Sequence, residues 1–142
     1  MTERTGGCLC GAVRFVARDV APRFSVCHCK TCQRQAGGPM FAVSVPAAGL
    51  TLQGAEHVRR IASSDVAERS WCGKCGSGLW YRATGRQDAH YALALGLFDD
   101  TTGFEITHEI YIDRKPDGYA LAGEHARLTA EETMKKYSGA GA

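Results

Sequence analysis

The chain has 142 residues, 44% of them hydrophobic and 23% charged, and a formal net charge of +2. That length suits one domain with its own hydrophobic core, and the basic residues are scattered rather than gathered into the stripe that nucleic-acid binding uses. No run approaches the eighteen or so apolar residues of a membrane span, and the opening MTERTGGC shows no basic-then-apolar export pattern, so a cytoplasmic protein with reduced thiols is expected.

The predicted elements are short and mostly extended. Ala12–Ala17 (AVRFVA) alternates apolar and polar residues, the period of a half-buried strand. Phe24–Cys29 follows, with a short helical turn after Cys32 (QRQAG). Met40–Val45, Leu50–Gln53, His57–Ala62, Val66–Trp71, Gly78–Arg82, Ala89–Leu97 and Thr107–Ile112 complete the strands, with Gly37–Gly38–Pro39, Pro46, Gly49, Gly54 and Gly85 as punctuation between them. Arg59–Arg60 reads as a solvated strand edge. The clear helix is the tail, where Thr129 and Glu132 have the spacing of a capping box ahead of Met134 and Tyr137. Ser138–Ala142 reads as a frayed end. Strands at this spacing without long helices between them predict an all-β fold of small packed antiparallel sheets, a single domain over 1–142.

Seven cysteines fall in three clusters: CLCG at 8–11, CHCKTC at 27–32 and CGKCG at 72–76. An odd number in reduced surroundings points to metal or catalysis rather than to a disulfide framework. If each C-x-C lies on an extended strand, Cys8 and Cys10 share one face, as do Cys27 and Cys29, and His28 is sent to the opposite face. Cys72-Gly-Lys-Cys75-Gly has the form of a knuckle whose backbone amides fold back on the sulfurs. Structural zinc takes four protein ligands, and catalytic zinc takes three with a position left open. Seven thiolates divide accordingly into a closed site of Cys8, Cys10, Cys72 and Cys75 and an open site of Cys27, Cys29 and Cys32. Spacing also allows a ribbon that joins the two C-x-x-C units and leaves Cys8, Cys10 and Cys27 free.

GGCLCGAVRF, CHCKTCQRQAGG, WCGKCGSGLW, GLFDD and HEIYIDRKPDGYA, in that order across residues 6 to 121, resemble the glutathione-dependent formaldehyde-activating enzyme family, which is related to the centromere protein V family. The resemblance implies a β-tent fold with two zinc ions, a structural one on Cys8, Cys10, Cys72 and Cys75 and a catalytic one on Cys27, Cys29 and Cys32. It also implies interconversion of glutathione plus formaldehyde with S-hydroxymethylglutathione. Gly118 departs from the pattern, since many members carry tryptophan there.

Charge fits that chemistry. Zinc with three thiolates bears a net negative charge, so it polarises water poorly and suits a fourth thiol, which loses its proton on coordination. The site then needs compensating cations; Lys30 and Arg34 flank the triple as candidates, and each reads equally as a solvated surface charge. His90 and His108 read as satisfied or surface side chains, Asp99–Asp100 as a turn, and Trp71 and Trp80 as packing for the knuckle. A carbon–sulfur lyase acting on a thiol–aldehyde adduct is therefore expected, with no nucleic-acid or membrane partner. The rival expectation is a non-catalytic zinc module that binds another protein.

Overall fold

The computed structural model describes residues 2–137, so the expected frayed end at Ser138–Ala142 lies outside the described residues. The fold is mostly β, in two sheets. The smaller sheet has the order β1–β2–β5, with β1 at Thr2–Gly7, β2 at Arg14–Val20 and β5 at Leu50–Gln53, all antiparallel. The larger has eight strands in the order β11–β10–β3–β4–β9–β8–β7–β6. These are β3 (Arg23–Cys27), β4 (Met40–Val45), β6 (Val58–Ala62), β7 (Ala67–Cys72), β8 (Gly78–Ala83), β9 (Tyr91–Ala94), β10 (Glu105–Ile110) and β11 (Ala126–Arg127). The all-β expectation holds, and the sheets go beyond it in one respect: β10 runs parallel to both β3 and β11.

The core lies where the sheets face each other. Val13, Phe15, Ala17 and Val20 from the β2 segment meet Val43, Val45, Leu79, Trp80, Leu93 and Phe98. Phe15 meets Phe98 edge-to-face with ring centroids 5.2 Å apart, and Trp80 meets Tyr91 in the same way at 5.1 Å. Strict alternation along β2 would bury Asp19 after Phe15 and Ala17. Instead Asp19 adopts a left-handed conformation (φ 59°) and a bulge shifts the pairing with β1, so Val20 turns inward and the carboxylate stays in water. Gly54 is required for a different reason. Its φ is +80°, and a Cβ there would stand 1.7 Å from the carbonyl oxygen of Ala12.

Two α-helices stand among the described residues. The first, α1 (Lys30–Ala36), starts earlier than the expected turn after Cys32 and includes that cysteine. Gly37 ends it in the left-handed conformation, with its N–H on Gln33 O at 2.8 Å. The second, α2 (Ala130–Tyr137), is the expected tail helix. Its capping box is complete: Glu132 N–H donates to Thr129 Oγ1 at 3.2 Å, and Thr129 N–H donates to Glu132 Oε1 at 2.8 Å. No helix among the described residues is long and apolar enough to cross a membrane.

Candidate metal centres

All seven cysteines are free thiols, and their sulfurs gather into two groups. In the first, Cys8, Cys10, Cys72 and Cys75 bring their sulfurs within 4.8 Å of one another. Cys8 Sγ is 3.7 Å from Cys10 Sγ, and Cys10 Sγ is 3.9 Å from Cys72 Sγ. The first pair is not on a strand, contrary to the expectation from its spacing. β1 ends at Gly7, and Cys8–Gly11 form a turn that projects Leu9 into solvent. The sulfurs still share a side because the turn folds the backbone under them: Val13 N–H donates to Cys8 Sγ at 3.3 Å and Gly11 N–H to Cys8 O at 3.2 Å. The second pair is the expected knuckle, with Lys74 N–H on Cys72 Sγ at 3.4 Å and Gly76 N–H on Cys72 O at 2.8 Å. Ser77 ties the two pairs together. Its hydroxyl meets Cys75 Sγ at 3.2 Å and accepts from Leu9 N–H at 3.0 Å. Those contacts draw the Cys75 thiol down to about 5, first through the Ser77 side chain and then through its backbone N–H.

The second group is Cys27, Cys29 and Cys32, whose sulfurs also lie within 4.8 Å of one another. Cys27 closes β3, Cys29 caps α1 and Cys32 sits in its first turn, so strand end, cap and helix each supply one sulfur. Cys32 N–H donates to Cys29 Sγ at 3.3 Å, the position a serine or aspartate oxygen takes in an ordinary cap. Three thiols this close do not ionise independently. Hydrogen bonds from Cys27 and then Cys32 favour the thiolate at Cys29, against burial, while Cys27 is pushed far up by its bonds to Cys29 and Cys32. Among the described residues no fourth His, Cys, Asp or Glu joins this group.

The cation beside the triple is neither of the two flanking candidates. Lys30 and Arg34 are exposed on α1. Arg69, from β7, is 4% exposed and places one terminal guanidinium nitrogen 3.3 Å from Cys32 Sγ. Its other terminal nitrogen lies 3.9 Å from Met40 Sδ, and the guanidinium sits over the Tyr81 ring at 5.1 Å. The signal in the sequence was an arginine at an inward-alternating position of β7, but only the pairing of β6, β7 and β8 brings it to α1.

His28 stands outside the sulfur group, and what it meets is a second unanticipated feature. Its ring is fully buried, with Nε2 2.7 Å from Glu109 Oε1. The other oxygen of Glu109 is 2.6 Å from His125 Nε2 and accepts from Arg127 Nε at 3.1 Å. Burial pushes the Glu109 carboxyl up, but the bonds to His125 and His28 outweigh it and hold it below the ordinary value. His28 N–H also donates to Ile110 O at 3.1 Å, and Gln33 Nε2 donates to His28 O at 2.7 Å. The residue between two cysteines thus clamps β3 to β10 and to α1.

The remaining expectations resolve simply. His108 meets the Tyr137 hydroxyl at 3.2 Å and His90 meets Ser44 Oγ at 2.8 Å. Asp100 makes the expected turn bond, accepting from Thr102 N–H at 2.9 Å, but Asp99 forms a two-pronged pair with Arg14 at 3.0 and 2.6 Å. Trp80 is core, and Arg59 and Arg60 are exposed on β6, the edge of the larger sheet. At Gly118 a Cβ would meet nothing within 4 Å.

Comparison with known proteins finds relatives that span most of the chain. The family model described as glutathione-dependent formaldehyde-activating enzyme matches residues 3–114. An uncharacterized lyase of Schizosaccharomyces pombe is 33% identical over 135 residues, covering 95% of this chain and 97% of the relative. A protein of Halomonas elongata, provisionally named as a glutathione-dependent formaldehyde-activating enzyme, is 30% identical over 155 residues, covering 89% of this chain and 97% of the relative. Among solved structures, a Rhodobacter sphaeroides protein is similar in fold with a TM-score of 0.55 at 21% identity, covering 72% of this chain and 99% of that one.

Proposed function

The chain belongs to the glutathione-dependent formaldehyde-activating enzyme family, and from that premise we propose that it is a zinc-dependent carbon–sulfur lyase that joins and parts glutathione and formaldehyde. Cys8, Cys10, Cys72 and Cys75 hold a structural zinc ion, and Cys27, Cys29 and Cys32 a catalytic one. The donor sets fit zinc. With zinc–sulfur bonds of about 2.3 Å, the edge of a regular tetrahedron of sulfurs is about 3.8 Å; in the four-cysteine group Cys8–Cys10 and Cys10–Cys72 are 3.7 and 3.9 Å apart, and all four sulfurs lie within 4.8 Å of one another.

One observation carries the reading: the second group stops at three ligands among the described residues. Cys27, Cys29 and Cys32 would hold the ion, and a zinc ion held by three thiolates would favour the deprotonated form of an incoming thiol while activating water poorly. The chain's own part is to hold the three sulfurs on a strand end, a helix cap and a helix turn, and to set a buried cation against Cys32. In the addition, the glutathione sulfur bonds to the formaldehyde carbon, the carbonyl electron pair moves to oxygen, and the proton given up by sulfur ends on that oxygen. Cleavage is the reverse, and neither direction needs an electron carrier.

The test is cobalt substitution followed by thiol titration. Glutathione should intensify the sulfur-to-cobalt charge-transfer band, and loaded protein should speed exchange between free formaldehyde and its hemithioacetal. Cys32→Ala should remove both effects and leave the four-cysteine ion in place. A spectrum unmoved by every thiol, with no exchange, refutes the lyase reading and leaves a zinc module without catalysis.

A further inference from the structure

Arg69 presents an unresolved charge balance. Burying a guanidinium costs several kcal/mol unless an anion and good hydrogen bonds accompany it. Arg69 is 4% exposed, yet none of the ion pairs among the described residues includes it. Its Nε is buried without a partner, and its two terminal nitrogens face sulfur, Cys32 Sγ on one side and the thioether of Met40 on the other. A neutral thiol and a thioether are weak acceptors. The guanidinium is therefore placed for a thiolate.

We propose that Arg69 is the counter-charge of the three-cysteine centre, a positioning residue that sets how firmly the centre keeps its metal and how strongly it prefers an anionic fourth ligand to a neutral one. This rests on the metal reading of that centre and goes beyond it. A divalent ion on three thiolates carries one net negative charge. One guanidinium at hydrogen-bond distance brings the assembly to neutrality, so a fourth thiolate raises it to a single negative charge rather than two. In a partly buried site that difference weighs more than it would in water. An arginine serves better than a lysine here because its planar fork keeps Cys32 on one nitrogen while its face stays on Tyr81.

The charge also has a distinctive source. Arg69 stands on β7 three residues before Cys72, a ligand of the four-cysteine group. One strand therefore ends in the closed centre and lends its cation to the open one.

The experiment compares wild type, Arg69→Met and Arg69→Lys, all loaded with cobalt. The first readout is the rate at which a chromophoric chelator removes the labile ion. The second is the affinity of the cobalt centre for 2-mercaptoethanol relative to imidazole. Losing one charge-assisted hydrogen bond should speed metal release from Arg69→Met about tenfold or more. The same variant should lose about tenfold in thiol affinity while imidazole affinity stays within about twofold. Arg69→Lys should recover most of the thiol preference. Retention of the four-cysteine ion by each variant reports that the fold is intact.

A merely structural role would weaken both ligands together and would not be rescued by lysine, and that result overturns the proposal. So does release from Arg69→Met at the wild-type rate. If wild type itself takes up only one ion, the catalytic-zinc reading fails and this inference with it. If wild type takes up two and the variants match it, the inference alone fails.

Discussion

Replacing Glu109 with alanine removes the acceptor of three hydrogen bonds at once, those to His28 (2.7 Å), His125 (2.6 Å) and Arg127 (3.1 Å). Arg127 is half exposed and rehydrates, so its share is small. His28 and His125 are not exposed, and His125 Nδ1 already lacks a partner. The substitution leaves both nitrogens of a buried imidazole unsatisfied. Removing one partner from a buried charged set costs about 3–5 kcal/mol, so Glu109→Ala should lose roughly 4 kcal/mol. Glu109→Gln keeps the shape and can accept at oxygen and donate at nitrogen to a neutral imidazole, so it should lose only about 1–2 kcal/mol. Urea unfolding of metal-loaded protein at neutral pH measures both. Because the Glu109 carboxyl is held below its ordinary value of 4.5, its stabilisation is in force above that pH and fades as pH falls below it. Glu109→Ala should accordingly lose less relative to wild type at acid pH. An alanine variant within 1 kcal/mol of wild type at pH 7, on the ~1 kcal/mol scale of a single hydrogen bond, would refute the reasoning.

Gly54→Ala should destabilise by at least about 2 kcal/mol, since the left-handed backbone and the clash with Ala12 O compound each other, and a melt unchanged from wild type would contradict it. Cys10→Ala should collapse the fold, because structural zinc supplies folding free energy of order 10 kcal/mol in zinc-finger peptides. Cys29→Ala should remove only the labile ion, and equal damage in thermal melts of the two would count against separate roles. Asp99 is drawn down to about 2 by Arg14 and then by Thr5, so its contribution holds above its ordinary 3.8 and disappears as pH falls toward 2. Asp99→Asn should flatten the acid limb of the stability curve over that interval, and an unchanged limb speaks against the pairing.

The parts of the fold written in local chemistry were legible in the sequence. Met40–Val45 and Leu50–Gln53 form the strands their alternation and bounding turns imply, and Thr129 with Glu132 caps the tail helix as the spacing requires. The grouping of sulfurs into four and three was one of two that the spacing allowed, and the fold brings those sulfurs together. Pairing information was not legible. β1 (TERTGG) has almost no apolar residue and exists because β2 offers it an edge. The Cys8 pair occupies a turn although an extended strand would equally have put both sulfurs on one side. Arg69 reaches the centre, and Glu109 reaches His28, only through strand order, since β7 meets α1 and β10 joins β3 from far along the chain. The flanking Lys30 and Arg34 were nearer in sequence and are merely solvated.

The two centres also differ in when they can come into being on the ribosome. The three-cysteine group is complete within six residues, as soon as Cys32 has emerged. Cys10 and Cys72 are 62 positions apart, and at synthesis speeds of about 5–20 residues per second that separation is roughly 3–12 s of waiting. During that interval the first pair stands as two uncovered thiols on a nascent chain, open to oxidants and to whichever soft metal ion is nearest. A cell short of zinc or under oxidative load should therefore spoil newly made copies first at Cys8 and Cys10, while copies already folded survive. Pulse-labelled protein would carry that damage and long-lived protein would not.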